Sequence, residues 1–447
     1  MSSTDRFTLT FIAPGNPVAS GREGLGAFIE ALELHIGELR PTVVEGVEQR
    51  GGSVWPYSKE NFWKAVSEVL GARHARQNVF FERPSDPYVG LSLNLEQGYD
   101  GRLEWNSLLS VRPFSFFEEP ARVEERSRRI VDLVRAWASW YPVRHVMAHS
   151  EADRLLALEQ EPRSREARDG LHQIYWLNVL GPELVKALGR ERVLSTPAYL
   201  VEPLPPGNVL IVTRPHVADC LSEEARRAQA RALVHLRPDL RLEEVWTGLH
   251  ERSQVLAPVE PDFEPDVTEL LDCMVQELRL PERPRKVAEL NAYRSPEVDE
   301  WRTLEAALPP DVERPARELV RYRRQLPKQL QEKLHWMELP LEPASLPELD
   351  CHFWRQESQY PYGQAHLIRY LAPMAGAFLG EVLVRSLGGC WVPRKNLAEA
   401  QVVVGGRVYL PFLRAQRYFQ SRQSIIDRSL TKLYRVARRW AEQPSGS

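Results

Sequence analysis

Cysteine is scarce in this chain: Cys220, Cys273, Cys351 and Cys390 are all that 447 residues contain. The two closest in sequence are 39 residues apart, and there is no CxxC pair. That spacing argues against a disulfide framework and against a zinc knuckle. Long apolar runs are missing too, the longest falling far short of the ~20 residues a membrane helix needs. Residues 1–20 hold Asp5 and Arg6 and lack a continuous apolar core, so no signal peptide and no membrane span are expected. The phosphate-loop patterns GxGxxG and GxxxxGK[ST], the GxSxG elbow, HExxH and the kinase DFG set are all absent. We therefore expect a cytoplasmic protein that is not an enzyme and carries no cofactor and no metal.

What is present is ordinary globular composition. Apolar residues make up 43% and charged residues 27%, which excludes a disordered or fibrous chain. At ~150 residues per domain the length suggests two or three domains. The net charge of −3 hides an uneven distribution. Residues 1–260 balance to −5, residues 261–360 to −7 and residues 361–447 to +9. Such an acidic middle either packs on the basic tail or leaves that tail free for an acidic partner.

The alternation in 7–12 predicts a strand, and Leu25, Phe28, Ile29, Leu32 and Ile36 predict a helix after it. YVGLSLNL and RLEWNSLLSV flank Gly98–Gly101 as a hairpin, a helix follows over 119–140, and 143–149 reads as a strand. Residues 165–188 read as helix interrupted at Gly181–Pro182, before a second hairpin around Pro205–Pro206–Gly207 and a helix over 222–236. This order predicts α+β architecture: an N-terminal domain, 1–256, with a mainly antiparallel sheet and helices on one face. A Pro- and acid-rich linker is expected at 257–268, then a smaller helix-rich α+β domain over 269–447. In the latter, 367–387 reads as a helix kinked at Pro373, 391–392 and 401–410 as strands, and 423–441 as an amphipathic helix.

Few residues suggest chemistry. His145, His149 and Asp153 have metal-like spacing, but a strand there makes them ordinary polar sheet residues. Gly21, Gly24 and Gly26 read as a turn and helix entry. Cys390 has His352 and His366 as conceivable partners, although a buried structural cysteine is the simpler reading. The tail is more pronounced: Arg407, Arg414, Arg417, Arg422, Arg428, Lys432 and Arg435 form a candidate binding set, with aromatics interleaved. Such a mixture can clamp phosphates and stack bases. Against that, Ile426, Leu430, Leu433, Ala437 and Trp440 make a helical stripe that would pack on its own domain.

Residues 171–213 add a different kind of signal. The order Tyr175-Trp176-Leu177-Asn178, Leu180-Gly181-Pro182 and Leu194-Ser195-Thr196-Pro197, then an apolar strand, resembles the type VI secretion immunity family. The hairpin with Glu104 and the helix over 119–140 are similar in order, and the resemblance spans about residues 5–250. It implies a non-enzymatic protein that binds and neutralises a cognate secreted effector toxin. It hands over no catalytic residues. Residues 375–392 are faintly similar to small uncharacterised α+β modules, to which no activity attaches. The alternative is a nucleic-acid-associated or complex-forming subunit acting through the basic tail.

Overall fold

In the computed structural model the described residues are 5–15, 17, 22–46, 53–71, 78–94, 104–160, 170–359, 364–420 and 424–442. The chain divides into two compact units, Met1–Glu260 with Arg279–Arg285 and Pro261–Leu278 with Lys286–Ser447.

The first unit is built on strands β1 (Phe7–Pro14), β2 (Val43–Gly46), β3 (Val54–Pro56), β4 (Asn78–Arg83), β5 (Tyr88–Asn94), β6 (Glu104–Arg112), β7 (His145–Ser150), β8 (Leu177–Leu180), β9 (Leu200–Leu204) and β10 (Asn208–Val212). They form one sheet in the order β3-β2-β4-β5-β6-β1-β7-β8-β10-β9, with every neighbouring pair antiparallel. The alternation in β1 sends Phe7, Leu9, Phe11 and Ala13 to one face. On that face lie α1 (Arg22–His35), α2 (Lys59–Gly71) and α3 (Val123–Trp140). Phe28 of α1 stacks on Trp137 of α3 at 4.5 Å, and the Trp137 indole donates to the Phe28 carbonyl at 3.0 Å. The fold is α+β, as its strand and helix order predicts.

At the β8–β10 end the sheet is covered on both faces. Leu210 and Val212 join the main core, whereas Val209 and Ile211 meet Ala232, Leu233 and Leu236 of α7 (Glu223–Leu236). Cover on both faces also hides a strand from the sequence pattern. Residues 165–188 read as helix, but Leu177–Leu180 is a strand between β7 and β10, and the helices α5 (Pro182–Leu188) and α6 (Arg190–Leu194) come after it. All four residues of β8 are buried, so its sequence has no alternation to betray it. Gly181 closes this strand where a Cβ would lie 1.8 Å from the Val143 carbonyl oxygen. Because the obstacle is backbone, Gly181→Ala is expected to cost about 1–3 kcal/mol, read as a lower urea midpoint for this unit.

The second unit contains a four-stranded antiparallel sheet, ordered β11 (Trp301–Thr303), β14 (Arg407–Tyr409), β13 (Gln401–Val404) and β12 (Cys390–Val392). β11 leaves no mark in the sequence, since three residues are too few for a periodic signal. Around the sheet lie α9 (Thr268–Glu277), α10 (Pro315–Val320), α11 (Leu326–Lys333), α12 (Ser345–Gln359), α13 (Ala372–Leu387), α14 (Pro411–Tyr418) and α15 (Leu430–Glu442), numbered after α8 (Leu242–Val255) of the first unit. α15 starts later than the sequence suggests. Asp350 fixes its first turn, accepting from the Leu430 and Thr431 amides at 3.0 Å each. Burial pushes the Asp350 carboxyl up to about 6.

Leu367–Leu371 is a π-turn, and Pro373 sits in the first turn of α13 right after it, where its missing N–H forces the change of pitch. The stretch Leu367–Leu387 is long and apolar enough to cross a membrane, yet 61% of its most apolar window is buried in the protein. Ala375, Phe378, Leu379, Val382 and Leu383 are fully enclosed in the core of this unit. Gly380 permits that packing, since a Cβ there would sit 2.1 Å from the Trp391 ring.

Candidate functional site

His149 and Asp153 do come together, but inside the protein. Asp153 opens α4 (Glu151–Gln160), and its carboxylate lies 2.7 Å from His149 Nε2. Arg226 of α7 grips it with both terminal nitrogens, at 2.6 and 2.9 Å, and Arg252 Nε of α8 donates at 3.1 Å. Asp153, Arg226, His149 and Arg252 are 0%, 1%, 2% and 4% exposed. Burial raises the Asp153 carboxyl, but Arg226, the His149 bond and Arg252 outweigh it and hold it well below the carboxylate range. His149 is pulled down, burial outweighing its bond to Asp153. His145, on the same strand face, is pushed down to about 4 by burial and by Arg144. No cluster of three or more His, Cys, Asp or Glu among the described residues could hold a metal ion. The arrangement is a sealed ionic hub tying β7, α4, α7 and α8 together.

The basic tail finds its partners in its own unit. Arg414, fully buried, donates to Glu300 at 2.9 Å and to the Ser429 carbonyl at 2.8 Å. Arg417 and Arg428 each bridge Asp299 and Glu300. Lys432 reaches Glu264 at 2.7 Å, Arg435 pairs with Glu269, and Arg439 takes both oxygens of Asp266. Arg407 lies between the Trp301 and Trp440 rings, 3.9 and 3.3 Å from their centroids. Arg422 is outside the described residues. The acidic middle and the basic tail therefore neutralise each other, and Glu264 and Asp266 of the expected linker are part of that pairing. Few of these cations are left over for phosphates.

Two other candidates move. Gly24 and Gly26 lie inside α1, where the Gly24 carbonyl accepts from the Tyr141 hydroxyl at 2.8 Å; Gly21 is outside the described residues. Cys390 is exposed rather than buried, since it opens β12, an edge strand of its sheet.

The residues that resemble the immunity family have structural roles that end at the surface. Tyr175 and Trp176 are buried, and the Asn178 amide bonds both backbone groups of Tyr175, at 3.1 and 2.9 Å. The Trp176 indole donates to the Arg214 carbonyl at 3.0 Å. Leu194 ends α6, Thr196 ties back to the Val193 carbonyl at 2.8 Å, and Pro197 turns the chain outward. Tyr199 then stands 64% exposed beside the edge strand β9. It lines a concavity of about 580 Å³ with Arg214, Glu223, Glu224, Arg227 and Arg231. Arg227 pairs with Glu223 and lies over the Trp246 ring at 5.5 Å, while Arg231 makes no ion pair among the described residues. Pro203 interrupts the hydrogen-bonding edge of β9, so side chains rather than an added strand would dominate a contact here. An exposed tyrosine among arginines is the composition of protein-binding hot spots. Nothing short of the fold marks Tyr199 in the sequence.

No family model matches this sequence, and no curated protein does either. Among solved structures, the Pseudomonas aeruginosa T6SS protein PA0821 is similar at 11% identity, over 64% of this chain and 86% of that one, with a TM-score of 0.37. That likeness is too remote to carry a fold or a function across.

Proposed function

We propose that this chain is a non-enzymatic, cytoplasmic immunity-type protein that binds a cognate secreted effector toxin and neutralises it by covering it. The observation that carries the reading is the exposed Tyr199–Arg227–Arg231 concavity at the end of the immunity-like segment. A stoichiometric contact of standard size buries ~1,600 Å², and a few anchors in it supply most of the affinity.

The test begins with tagged protein recovered from its own host at moderate salt. The expected result is a near-stoichiometric protein partner that is toxic when expressed alone and harmless beside this chain. Tyr199→Ala with Arg231→Glu should weaken that complex by about tenfold or more, with circular dichroism unchanged. Recovery of nucleic acid in place of a protein, or growth inhibition that this chain fails to relieve, overturns the reading.

A further inference from the structure

Cys273 and Cys351 are 78 residues apart in sequence but face each other between α9 and α12. Their thiols hydrogen-bond to each other. Two contacts set the register of the two helices around this pair. One turn before Cys273, the Glu269 carbonyl receives the Cys351 thiol at 3.7 Å. One turn after Cys273, Glu277 is bound by Arg355 at 2.8 Å, and Arg355 is itself one turn after Cys351. These contacts span two turns of α9 around Cys273 and one turn of α12 from Cys351, and they keep Cys351 on the face of α9 that carries Cys273.

The pair is also asymmetric. The bond from Cys351, and then Arg355, favour the Cys273 thiolate against burial and Glu277, so its pKa lies below the ordinary thiol value. Cys351 is raised, by the same bond and by burial. Cys351 is the more open of the two, while Cys273 is buried, so a reagent reaching this site has to be small. Burial drives Cys220 far above the thiol range, and Cys390 is exposed, which provides an internal comparison for each extreme.

We propose that Cys273 and Cys351 are a peroxide-reactive dithiol that closes to an inter-helix disulfide. The Cys273 thiolate attacks one peroxide oxygen, the O–O bond breaks, and hydroxide leaves and takes up a proton as water. Cys273 is then a sulfenic acid. The Cys351 sulfur attacks the Cys273 sulfur, its proton leaves with the displaced hydroxide as a second water, and the S–S bond forms. Two thiols give up two electrons, and one hydrogen peroxide becomes two waters. A small thiol reductant reverses the link by exchange.

The experiment treats reduced full-length protein with hydrogen peroxide, blocks the remaining thiols, and maps peptides by mass spectrometry. The expected product has lost two hydrogens and yields one cross-linked peptide pair joining Cys273 to Cys351, removed by dithiothreitol. Cys273 should be consumed about tenfold faster than exposed Cys390. In Cys351→Ser the reaction should halt at a Cys273 sulfenic acid that dimedone labels. Faster oxidation of Cys390, disulfide-linked dimers through Cys390, or peroxide-treated protein without the cross-linked pair overturns the proposal. Wild-type mapping decides it even if a serine variant is poorly folded.

Discussion

Asp153→Ala is expected to remove about 3–5 kcal/mol from the first unit, the loss that follows when one partner of a buried ionic cluster is deleted. The alanine leaves Arg226 and Arg252 as charges at 1% and 4% exposure. Among the described residues the remaining hydrogen-bond partners of Arg226 are neutral, Ser253 and Gln229, and Gln173 also accepts from Arg252. Neutral acceptors do not compensate a desolvated guanidinium ion such as that of Arg226. Asp153→Asn keeps the shape and should cost nearly as much, which separates charge from hydrogen bonding. A joint Asp153→Leu, Arg226→Met, Arg252→Leu variant should recover much of the loss, because an apolar cluster has no charge to strand. The measurement is urea unfolding followed by tryptophan fluorescence, with the two units fitted as separate transitions. The pH dependence has a definite sign. Since the folded Asp153 carboxyl lies below its ordinary 3.8, its stabilisation is complete above that value and fades only as pH falls through the folded value. The difference between wild type and Asp153→Ala should therefore stay flat from about pH 8 to pH 5.

Local signals account for what the sequence made legible. β5 and β6 alternate, β9 and β10 flank a Pro-Pro-Gly turn, and the Leu430–Leu433–Ala437 stripe marks α15; each can be read within a dozen residues. β8 could not be read this way, since burial on both faces erases the period of two. The charged groups divide along the same line. That residues 261–360 and the tail carry opposite charge is plain from composition, and pairing was one of two readings. Which carboxylate meets which guanidinium depends on contacts more than a hundred residues apart, as between Glu300 and Arg414. Cys273 and Cys351 have the same character. Their distance in the sequence argued against pairing, and only the packing of α9 on α12 brings them together. Tyr199 is a third case: exposure is a property of its neighbours, not of the residue.

Glu300→Ala should do to the second unit what Asp153→Ala does to the first, and the comparison with its neighbour Asp299 makes the cause testable. Three arginines converge on Glu300, which is itself fully buried. Two of them have somewhere else to go, because Arg417 and Arg428 already contact Asp299 at 2.7 and 2.5 Å. Arg414 does not. At 0% exposure it would keep the Ser429 carbonyl and lose the one carboxylate in direct contact with it among the described residues, with Asp350 acting at longer range. The expected cost of Glu300→Ala is again about 3–5 kcal/mol, and that of Glu300→Gln nearly as large. Asp299 is 57% exposed, so Asp299→Ala should cost only about 0–1 kcal/mol and less at high salt. If the tail were held chiefly by surface attraction, the two substitutions would be similar and both would be weakened by salt. A large, salt-insensitive loss confined to Glu300 instead locates the holding force in the dry Glu300–Arg414 pair, where Debye screening does not reach. By that logic Glu300 is the buried ionic anchor of α14, as Asp350 is the buried cap of α15, and the exposed cations of the tail add little to either.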